Sequence, residues 1–201
     1  MVTSKEKIIE EAAKAFMMGG YKGSSTTEIA VAAGLSNNSG LFRHFIGKEE
    51  MYRAVLSKYV VNVHTPKEKF GDCMGSSLKQ FIDCYSEKVE ETMDFLYKSL
   101  GDRTKKTTNR YFSFMLESAF RNEESAKAIV KFGKEEVELF EEMIEKAKKS
   151  GEIRSDVNTR NTAELFRYAF VGLSYTFAME SGATVEQVKK LLHNIYDTIK
   201  K

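Results

Sequence analysis

Residues 33–45 read AGLSNNSGLFRHF, and this stretch decides how the N-terminal quarter of the chain is interpreted. Gly34 follows a short apolar helical pattern, where a glycine can adopt the left-handed conformation that ends a helix. A residue at 36–38 can then cap a new helix that runs through Phe45. Two short helices joined by a glycine-containing turn are typical of a helix-turn-helix, whose second helix enters the major groove of DNA.

The flanking residues predict the helices that brace this stretch. A first helix should begin at residue 3 or 4 and stop at Gly19-Gly20. Ser25 and Glu28 fit a capping box that opens the second, short helix. Lys48 follows a glycine and begins a fourth helix.

The composition favours an all-helical protein. The 201 residues include one proline and few runs of β-branched residues. Helical apolar periods continue from residue 78 onward, which brings the predicted total to nine helices. No apolar run reaches the roughly 18 residues that a membrane span needs, so we expect a cytoplasmic protein. Cys73 and Cys84 match no metal or redox spacing and are interpreted as two reduced helix cysteines.

A net charge of +2 is too small to indicate a nucleic-acid partner by itself, so a DNA hypothesis depends on local placement. Small or hydrogen-bonding side chains at the start of a recognition helix allow close approach to base edges, and cations after them can bind phosphate. The amino ends of neighbouring helices also direct amides at phosphate. The candidate contacts are Thr26, Thr27, Asn37, Asn38, Ser39, Gly40, Arg43, His44 and Lys48. From the residues alone, an Asx-rich turn with solvated cations is the alternative.

The order of motifs between Lys5 and Leu56 is more specific than a generic helix-turn-helix. It comprises Ile9, Ala12-Ala13, Phe16, Gly20-Tyr21, Thr26-Thr27, Ile29-Ala30, Ala33-Gly34-Leu35-Ser36, Leu41-Phe42-Arg43-His44-Phe45 and Lys48-Glu49. These motifs resemble the DNA-binding region of the TetR family of transcriptional regulators, and residues 151–156, GEIRSD, resemble a turn before the family's penultimate helix.

The resemblance implies a nine-helix, all-α TetR-like fold with two domains. Residues 1–47 would form the DNA-binding domain, with the helix-turn-helix at about 26–45. Residues 48–201 would form a larger helical domain for effector binding and dimerisation, and 48–64 its connecting helix.

Two departures from the family pattern affect the recognition helix. Four residues, Asn37 to Gly40, stand where the family usually has three, so the start of this helix can shift by one residue. Phe42 stands where the family usually has a tyrosine whose hydroxyl bonds a phosphate. The resemblance therefore adds Phe42 to the candidate DNA contacts, with its ring packed against the sugar-phosphate backbone.

Beyond residue 65 the sequence indicates roles only through apolar patterns. Candidate lining residues of an effector pocket are Phe81, Tyr85, Met93, Tyr111, Phe112, Met115, Phe140, Phe166 and Phe170, although aromatics at helical spacing also suit a plain core. Candidate dimer contacts are Phe170, Leu173, Phe177, Val188, Leu192, Ile195 and Ile199, with ordinary core helices of a monomer as the alternative. Glu117, four residues from both Ser113 and Arg121, is interpreted as part of a solvated polar stripe.

Together these features predict a ligand-responsive transcriptional repressor. It would bind a palindromic operator as a homodimer and be released by an apolar or amphipathic small molecule. We expect no enzyme activity, cofactor, metal or membrane partner, because the sequence lacks a P-loop, a dinucleotide fingerprint, an HExxH motif and a nucleophile elbow. The alternative is a helical ligand-binding or scaffold protein whose DNA-binding region is degenerate.

Overall fold

The computed structural model describes residues 4–75, 77–100, 105–179 and 183–201, with the side chains of 90, 92–100 and 105–109 left out of the description. Ten α-helices lie within these ranges: α1 Ser4–Gly23, α2 Thr26–Ala32, α3 Asn38–Phe42, α4 Lys48–Leu56, α5 Pro66–Phe70, α6 Leu78–Leu100, α7 Lys105–Arg121, α8 Glu123–Ser150, α9 Thr159–Ala178 and α10 Val185–Ile199. A π-helix, Ser57–Val61, extends α4, and a 3₁₀-helix, Gly71–Gly75, follows α5. The predicted all-α class is confirmed.

The tenth helix, α5, is one more than predicted. Pro66 occupies the first turn of α5, where a missing N–H costs nothing. Thr65 caps this helix and forms a capping box with Glu68.

Helix boundaries near the N-terminus also differ from the prediction. α1 continues past Gly19-Gly20 to Gly23, with a kink at Gly20, whose φ of 69° and ψ of 173° are not helical. α3 ends at Phe42 rather than Phe45. Gly34 has a φ of 81° after α2, and its predicted left-handed conformation is confirmed.

The chain divides into two compact units that differ from the predicted domain limits. The first unit comprises residues 1–63 and 109–129, and the second comprises 64–108 and 130–201. The core of the first unit contains Ile8, Ala12, Phe16, Ile29, Leu41, Phe45, Met51, Tyr52, Val55 and Phe114, each at most 2% exposed.

The second unit has an aromatic core. Phe81, Tyr85, Phe140 and Phe166 are fully buried. Glu152, in the predicted turn after α8, accepts hydrogen bonds at 3.0 Å from the amides of Leu78 and Lys79 and so caps the amino end of α6. Gly133 lies inside α8, which runs without a break from Glu123 to Ser150.

The interpretation of Cys73 and Cys84 as reduced cysteines is wrong in this structure. Their sulfur atoms form a disulfide, with the Cα atoms 5.5 Å apart. Cys73 lies in the 3₁₀-helix and Cys84 in α6, a pairing that the spacing of eleven residues did not indicate because the 3₁₀-helix returns the chain toward α6. The bond therefore fixes this segment to the second turn of α6.

Candidate nucleic-acid interface and effector core

The helix-turn-helix is held together from its interior side. Ser25 caps α2 by accepting a hydrogen bond from the amide of Glu28. The amide of Leu35 donates to the carbonyl of Ala30 at 2.9 Å, which closes the turn after Gly34. Ile29 and Ala30 of α2 and Leu41 of α3 are buried, and the opposite face of α3 remains exposed.

Asn37 begins the recognition helix as its N-cap. Its Oδ1 accepts a hydrogen bond from the amide of Ser39 at 3.0 Å. This settles which of the three candidate capping residues starts the helix. It also occupies the oxygen with which Asn37 was expected to read a base, and leaves the side-chain NH₂ group.

Asn38 joins the starts of the two short helices. Its Nδ2 donates to Oγ1 of Thr27 at 3.0 Å, and the side chain is half-buried. Both residues were candidate DNA contacts. In the structure these two side chains hydrogen-bond to each other and so link α3 to α2.

Gly40 was expected to face the bases, but its position faces the interior. A Cβ built there would lie 3.4 Å from both terminal methyl groups of Leu35. The exposed side chains between residues 37 and 44 are Asn37, Ser39, Phe42 and Arg43, with the Phe42 ring 48% exposed. Ile46, which the sequence did not single out, is 93% exposed just after them.

The predicted phosphate-binding residues have different surroundings. Arg43 is exposed and His44 half-buried, whereas Nζ of Lys48 donates to the carbonyl of Ser24 at 2.5 Å and lies 4.9 Å from the centre of the Tyr21 ring. Thr26 is half-buried at the start of α2. One N–H donor of Lys48 is therefore already used in a hydrogen bond that links α4 to the loop before α2.

Two further cations near the turn were missed. Nζ of Lys5 lies 5.3 Å from the centre of the Phe45 ring, and Nζ of Lys7 lies 3.4 Å from the position of a Cβ at Gly34. Both are exposed residues of α1. The net charge of residues 1–50 cancels, so only the fold could show that these lysines lie beside the helix-turn-helix.

Glu117 is not part of a solvated stripe, so that expectation is wrong. Its carboxylate accepts a hydrogen bond from the amide of Tyr21, with oxygen distances of 3.1 and 3.3 Å. This amide is available because α1 departs from helical geometry at Gly20. The guanidinium of Arg121 lies 4.0 Å from the centre of the Tyr21 ring, which adds a cation–π contact.

An aromatic cluster supports the same contact. The Tyr52 ring meets those of Tyr21 and Phe16 edge-on, at 4.9 and 5.0 Å between centroids, and packs against Phe114 of α7 at 6.3 Å. Burial, followed by the Glu117 carboxylate, raises the pKa of Tyr52 to about 12. Residues of α7 thus brace the kink between α1 and the helix-turn-helix.

Most candidate pocket residues in the second unit pack against one another. The Phe81, Tyr85, Phe140 and Phe166 rings are fully buried, and successive centroids lie 5.2 to 6.0 Å apart. Phe170 is half-buried and meets Tyr85 edge-on. In this structure these rings form a core, which was the alternative interpretation of the pattern.

The other candidate pocket residues are not part of this core. Tyr111, Phe112 and Met115 are half-buried residues of the first unit, and the side chain of Met93 lies outside the described residues. A cleft of about 320 Å³ in the second unit is lined by Thr65, Lys67, Glu135, Glu138, Leu139 and Glu142, none of which was a candidate.

A buried charge pair within the aromatic core was also missed. The hydroxyl of Tyr85 donates to Oε1 of Glu136 at 2.8 Å, and Nε of Arg167 lies 2.5 Å from Oε2 of Glu136. Burial raises the pKa of Glu136, and the nearby Arg167 opposes this shift. The sequence signal was slight: Glu136 is four residues from both Phe132 and Phe140, and Arg167 adjoins Phe166.

The candidate dimer contacts on α10 are core residues of a single chain. Val188, Leu192, Ile195 and Ile199 are at most 8% exposed and therefore have little surface left for a partner. The other candidates, Phe170, Leu173 and Phe177, are half-buried on α9. The exposed face of α9 carries other residues instead, namely Leu165, Tyr168, Gly172 and Thr176, and continues to Met179, the C-cap of the helix.

Neither a metal site nor a membrane-spanning element occurs in the part of the chain that the structure describes. No three His, Cys, Asp or Glu side chains there come together in a group that could hold a metal ion. No helix within the same ranges is long and apolar enough to cross a membrane.

The fold is shared with solved regulators of known family. A TetR regulator from Chloroflexus aurantiacus has a TM-score of 0.65 at 19% identity, covering 98% of this chain and 96% of its own. The ketosteroid regulator KstR2 of Mycobacterium tuberculosis has a TM-score of 0.61 at 17% identity, covering 100% of this chain and 97% of its own. Reduced Escherichia coli NemR has a TM-score of 0.63 at 12% identity, covering 98% of each chain.

The sequence match is confined to the N-terminal region. No curated protein is significantly similar in sequence to this chain. Residues 8–55, however, match the family model described as "Bacterial regulatory proteins, tetR family", and these residues contain α2, α3 and most of α1 and α4. The resemblance predicted from the sequence is thereby confirmed: residues 8–55 match the tetR family of bacterial regulatory proteins, and the chain shares its fold with solved TetR regulators.

Proposed function

We propose that the chain is a ligand-responsive transcriptional repressor of the cytoplasm. It binds a palindromic operator as a homodimer, and a small-molecule effector releases it. The observation that carries the proposal is the exposed face of α3, where Ser39, Phe42 and Arg43 project from a helix-turn-helix that the family model matches. This function requires neither a cofactor nor catalysis.

The geometry divides the candidate DNA contacts into two groups. Because they are exposed, we assign Ser39, the Asn37 amide and the Phe42 ring to base edges or the groove wall, and Arg43 to phosphate. Thr27, Asn38 and Lys48 act mainly by positioning the two helices, since each makes a contact within the protein. Phe42 offers apolar contact without the hydroxyl that the family usually has.

Dimerisation is proposed through the exposed face of α9. Leu165, Tyr168 and Met179 are 52, 64 and 77% exposed, and Gly172 and Thr176 complete the stripe at helical spacing. Exposed apolar residues at such spacing are typical of helix–helix interfaces, and the glycine allows close approach. Two copies are needed because one short helix reads few base pairs.

Release is proposed as a shift between two dimer conformations. An effector that binds more tightly to the conformation with the wrong half-site spacing reduces DNA affinity, and a difference of about 1–3 kcal/mol suffices. KstR2, a ketosteroid regulator of similar fold, supports an apolar or amphipathic effector. In this mechanism α7 carries the change, because Glu117 binds the Tyr21 amide at the start of the DNA-reading segment.

The DNA-binding proposal is tested by selecting sequences from a random duplex pool and then titrating salt. Arg43→Ala should weaken binding to all duplexes and reduce the slope of log K against log salt by about one. Lys127→Ala, an exposed lysine of the same unit, is the charge-matched control and should leave the slope unchanged. Equal slopes for Arg43→Ala and the wild type would remove the phosphate role.

The dimer proposal is tested by sedimentation at micromolar concentration. The wild type should sediment at twice the chain mass of 22.8 kDa, and Leu165→Glu should shift it toward the monomer. Lys190→Glu, on the exposed polar face of α10, should not. A wild-type particle of 22.8 kDa would contradict the proposal.

The second candidate function is a helical ligand-binding or scaffold protein. It is favoured by the shortness of α3, five residues, and by the use of the Asn37 and Asn38 side chains within the protein. If a well-folded dimer selects no duplex from the pool, this second function replaces the first.

A further inference from the structure

The core of the second unit contains a charged group whose hydrogen bonding is incomplete. Glu136 is only 3% exposed, and both of its carboxylate oxygens have partners: the Tyr85 hydroxyl at 2.8 Å and Arg167 at 2.5 Å. The acceptor side of the group is therefore satisfied.

The N–H donors of Arg167, by contrast, are not all satisfied. Nε of Arg167 lies 2.5 Å from Oε2 of Glu136 in an ion pair, whereas Nη1 has no hydrogen-bond partner among the described residues. Both nitrogens are buried, and the side chain as a whole is 16% exposed. A buried guanidinium nitrogen without an acceptor is costly, and such atoms commonly mark the place of a water or a ligand.

The guanidinium lies beside Gly133 of α8. A Cβ at Gly133 would lie 3.4 Å from Nη2 of Arg167, so a longer side chain at this position would press on the guanidinium. Gly133 and Glu136 are three residues apart on α8 and hold the group from one helix face.

The balance of charge in this group is positive. Lys69 is also largely removed from solvent, and its burial lowers the pKa of its amine, while Glu136 opposes the shift. Arg167 and Lys69 thus face one carboxylate, Glu136. A second anionic group would offset the remaining positive charge.

Partly buried apolar side chains belong to the same core. Phe132, Phe170 and Leu173 are only partly buried where they pack against the aromatic core. They offer apolar surface to a ligand whose polar end reaches Arg167.

From this combination we infer that Arg167 is the docking point for a carboxylate on the effector, whose hydrocarbon part packs against Phe132, Phe170 and Leu173. The effector is thus an amphipathic carboxylic acid. The planar guanidinium presents neighbouring N–H groups in a fork that suits a carboxylate better than a hydroxyl or a single carbonyl. Glu136 holds the fork in place and competes with the ligand for it. This inference names the effector class of the proposed regulator and rests on that function.

The test is calorimetric titration of the full chain, without DNA, using probes of matched size. Octanoate and 4-phenylbutanoate supply the carboxylate, and 1-octanol and octylamine keep the apolar part with a neutral or cationic end. At least one carboxylate should bind saturably and at least about tenfold more tightly than the alcohol, because hydrogen bonds to charged groups are the strong ones. Binding of neither carboxylate at millimolar concentration, or equal binding of octylamine, would overturn the inference.

Variants then assign the contact to Arg167. Arg167→Met should weaken carboxylate binding by about tenfold or more, whereas Arg160→Met, an exposed arginine of the same helix, should not change it. Glu136→Gln should tighten carboxylate binding severalfold, because the guanidinium loses its internal competitor. A purely structural charge pair would give no tightening in Glu136→Gln, and that result would contradict the inference.

Folding and function are kept separate in this design. Arg167→Lys and the double variant Glu136→Gln/Arg167→Met avoid an unpaired buried carboxylate, and both should bind the carboxylate more weakly than the wild type. If the carboxylates bind as expected but the protein selects no DNA, the proposed regulator fails and the binding site stands. If DNA is selected but no carboxylate binds, the inference fails alone.

Discussion

Glu117 and Glu136 are two carboxylates placed among aromatic residues on helices, and the chain uses them differently. Glu117 in the first unit is bound by a backbone amide, that of Tyr21. Glu136 in the second unit is bound by side chains, Tyr85 and Arg167, and its arginine retains unused donors. A carboxylate that binds the main chain fixes a backbone shape, whereas one that holds an unsatisfied cation keeps that cation available. In the first unit the carboxylate stabilises a backbone conformation, whereas in the second unit it lies beside an arginine with an unused N–H donor.

The largest expected effect comes from unpairing Glu136. Arg167→Met should destabilise the folded chain by about 3–5 kcal/mol, because it leaves a buried carboxylate without its cation. The double variant Glu136→Gln/Arg167→Met should recover most of that loss. Urea unfolding followed by circular dichroism measures both. A double variant as unstable as Arg167→Met would show that the charges are not coupled.

The next largest effect is expected from the Cys73–Cys84 disulfide beside Tyr85, which should help to stabilise the second unit. Cys84 precedes Tyr85 in α6, so the disulfide to Cys73 fixes the turn from which the Tyr85 hydroxyl reaches Glu136. Reduction should lower the free energy of unfolding by about 3 kcal/mol, through the freedom regained by the unfolded chain. Unfolding with and without dithiothreitol measures this, and Cys73→Ser/Cys84→Ser should not respond to the reductant.

A smaller effect is expected at Glu117. Glu117→Gln keeps the shape but removes the charge that strengthens the bond from the Tyr21 amide, and should cost about 1–2 kcal/mol. Glu124→Gln, an exposed glutamate at the start of α8, serves as the control and should be neutral. Because the contact braces the start of the DNA-reading segment, Glu117→Gln should also weaken operator binding. An unchanged affinity would confine Glu117 to stability.

The smallest expected effect is a pH dependence of the free energy of unfolding that comes from Glu136. Burial raises the pKa of Glu136, so between the ordinary glutamate pKa and the raised one the folded chain holds a proton that the unfolded chain has released. Stability should therefore fall as pH rises through this window. Glu136→Gln should lack this decline when the two proteins are unfolded in urea across the same pH series.

The two units were predictable to different degrees from the sequence. In the first unit, short-range signals sufficed: Ser25 capped α2, Gly34 ended it, and the ordered motifs identified the family. Side-chain direction in so short a helix could not be predicted in the same way. A five-residue α3 needs only a small rotation to turn Gly40 inward.

In the second unit the helices were predictable and the contacts between them were not. Apolar spacing located α6, α8, α9 and α10 with ends within a few residues of those observed. The same spacing fits a core, a pocket or a dimer interface, so Val188 and Leu192 were expected at a partner yet lie in the interior. The Glu136–Arg167 pair joins residues 31 positions apart on two helices, and no local pattern encodes such a meeting.

The π-helix Ser57–Val61 has a consequence for how the chain tolerates changes in length. The amide of Asn62 donates to the carbonyl of Ser57, five residues back, so this turn contains one residue more than an α-helical turn. Each residue of an α-helix turns the chain by about 100° around the helix axis. Removing one residue from 57–61 can therefore be absorbed by a return to α-helical hydrogen bonding, whereas a deletion within Lys48–Leu56 would rotate the buried face of α4 away from its partners. The π-helix thus contains one residue that an α-helical turn would not need, and it lies just before residue 63, where the first stretch of the first unit ends.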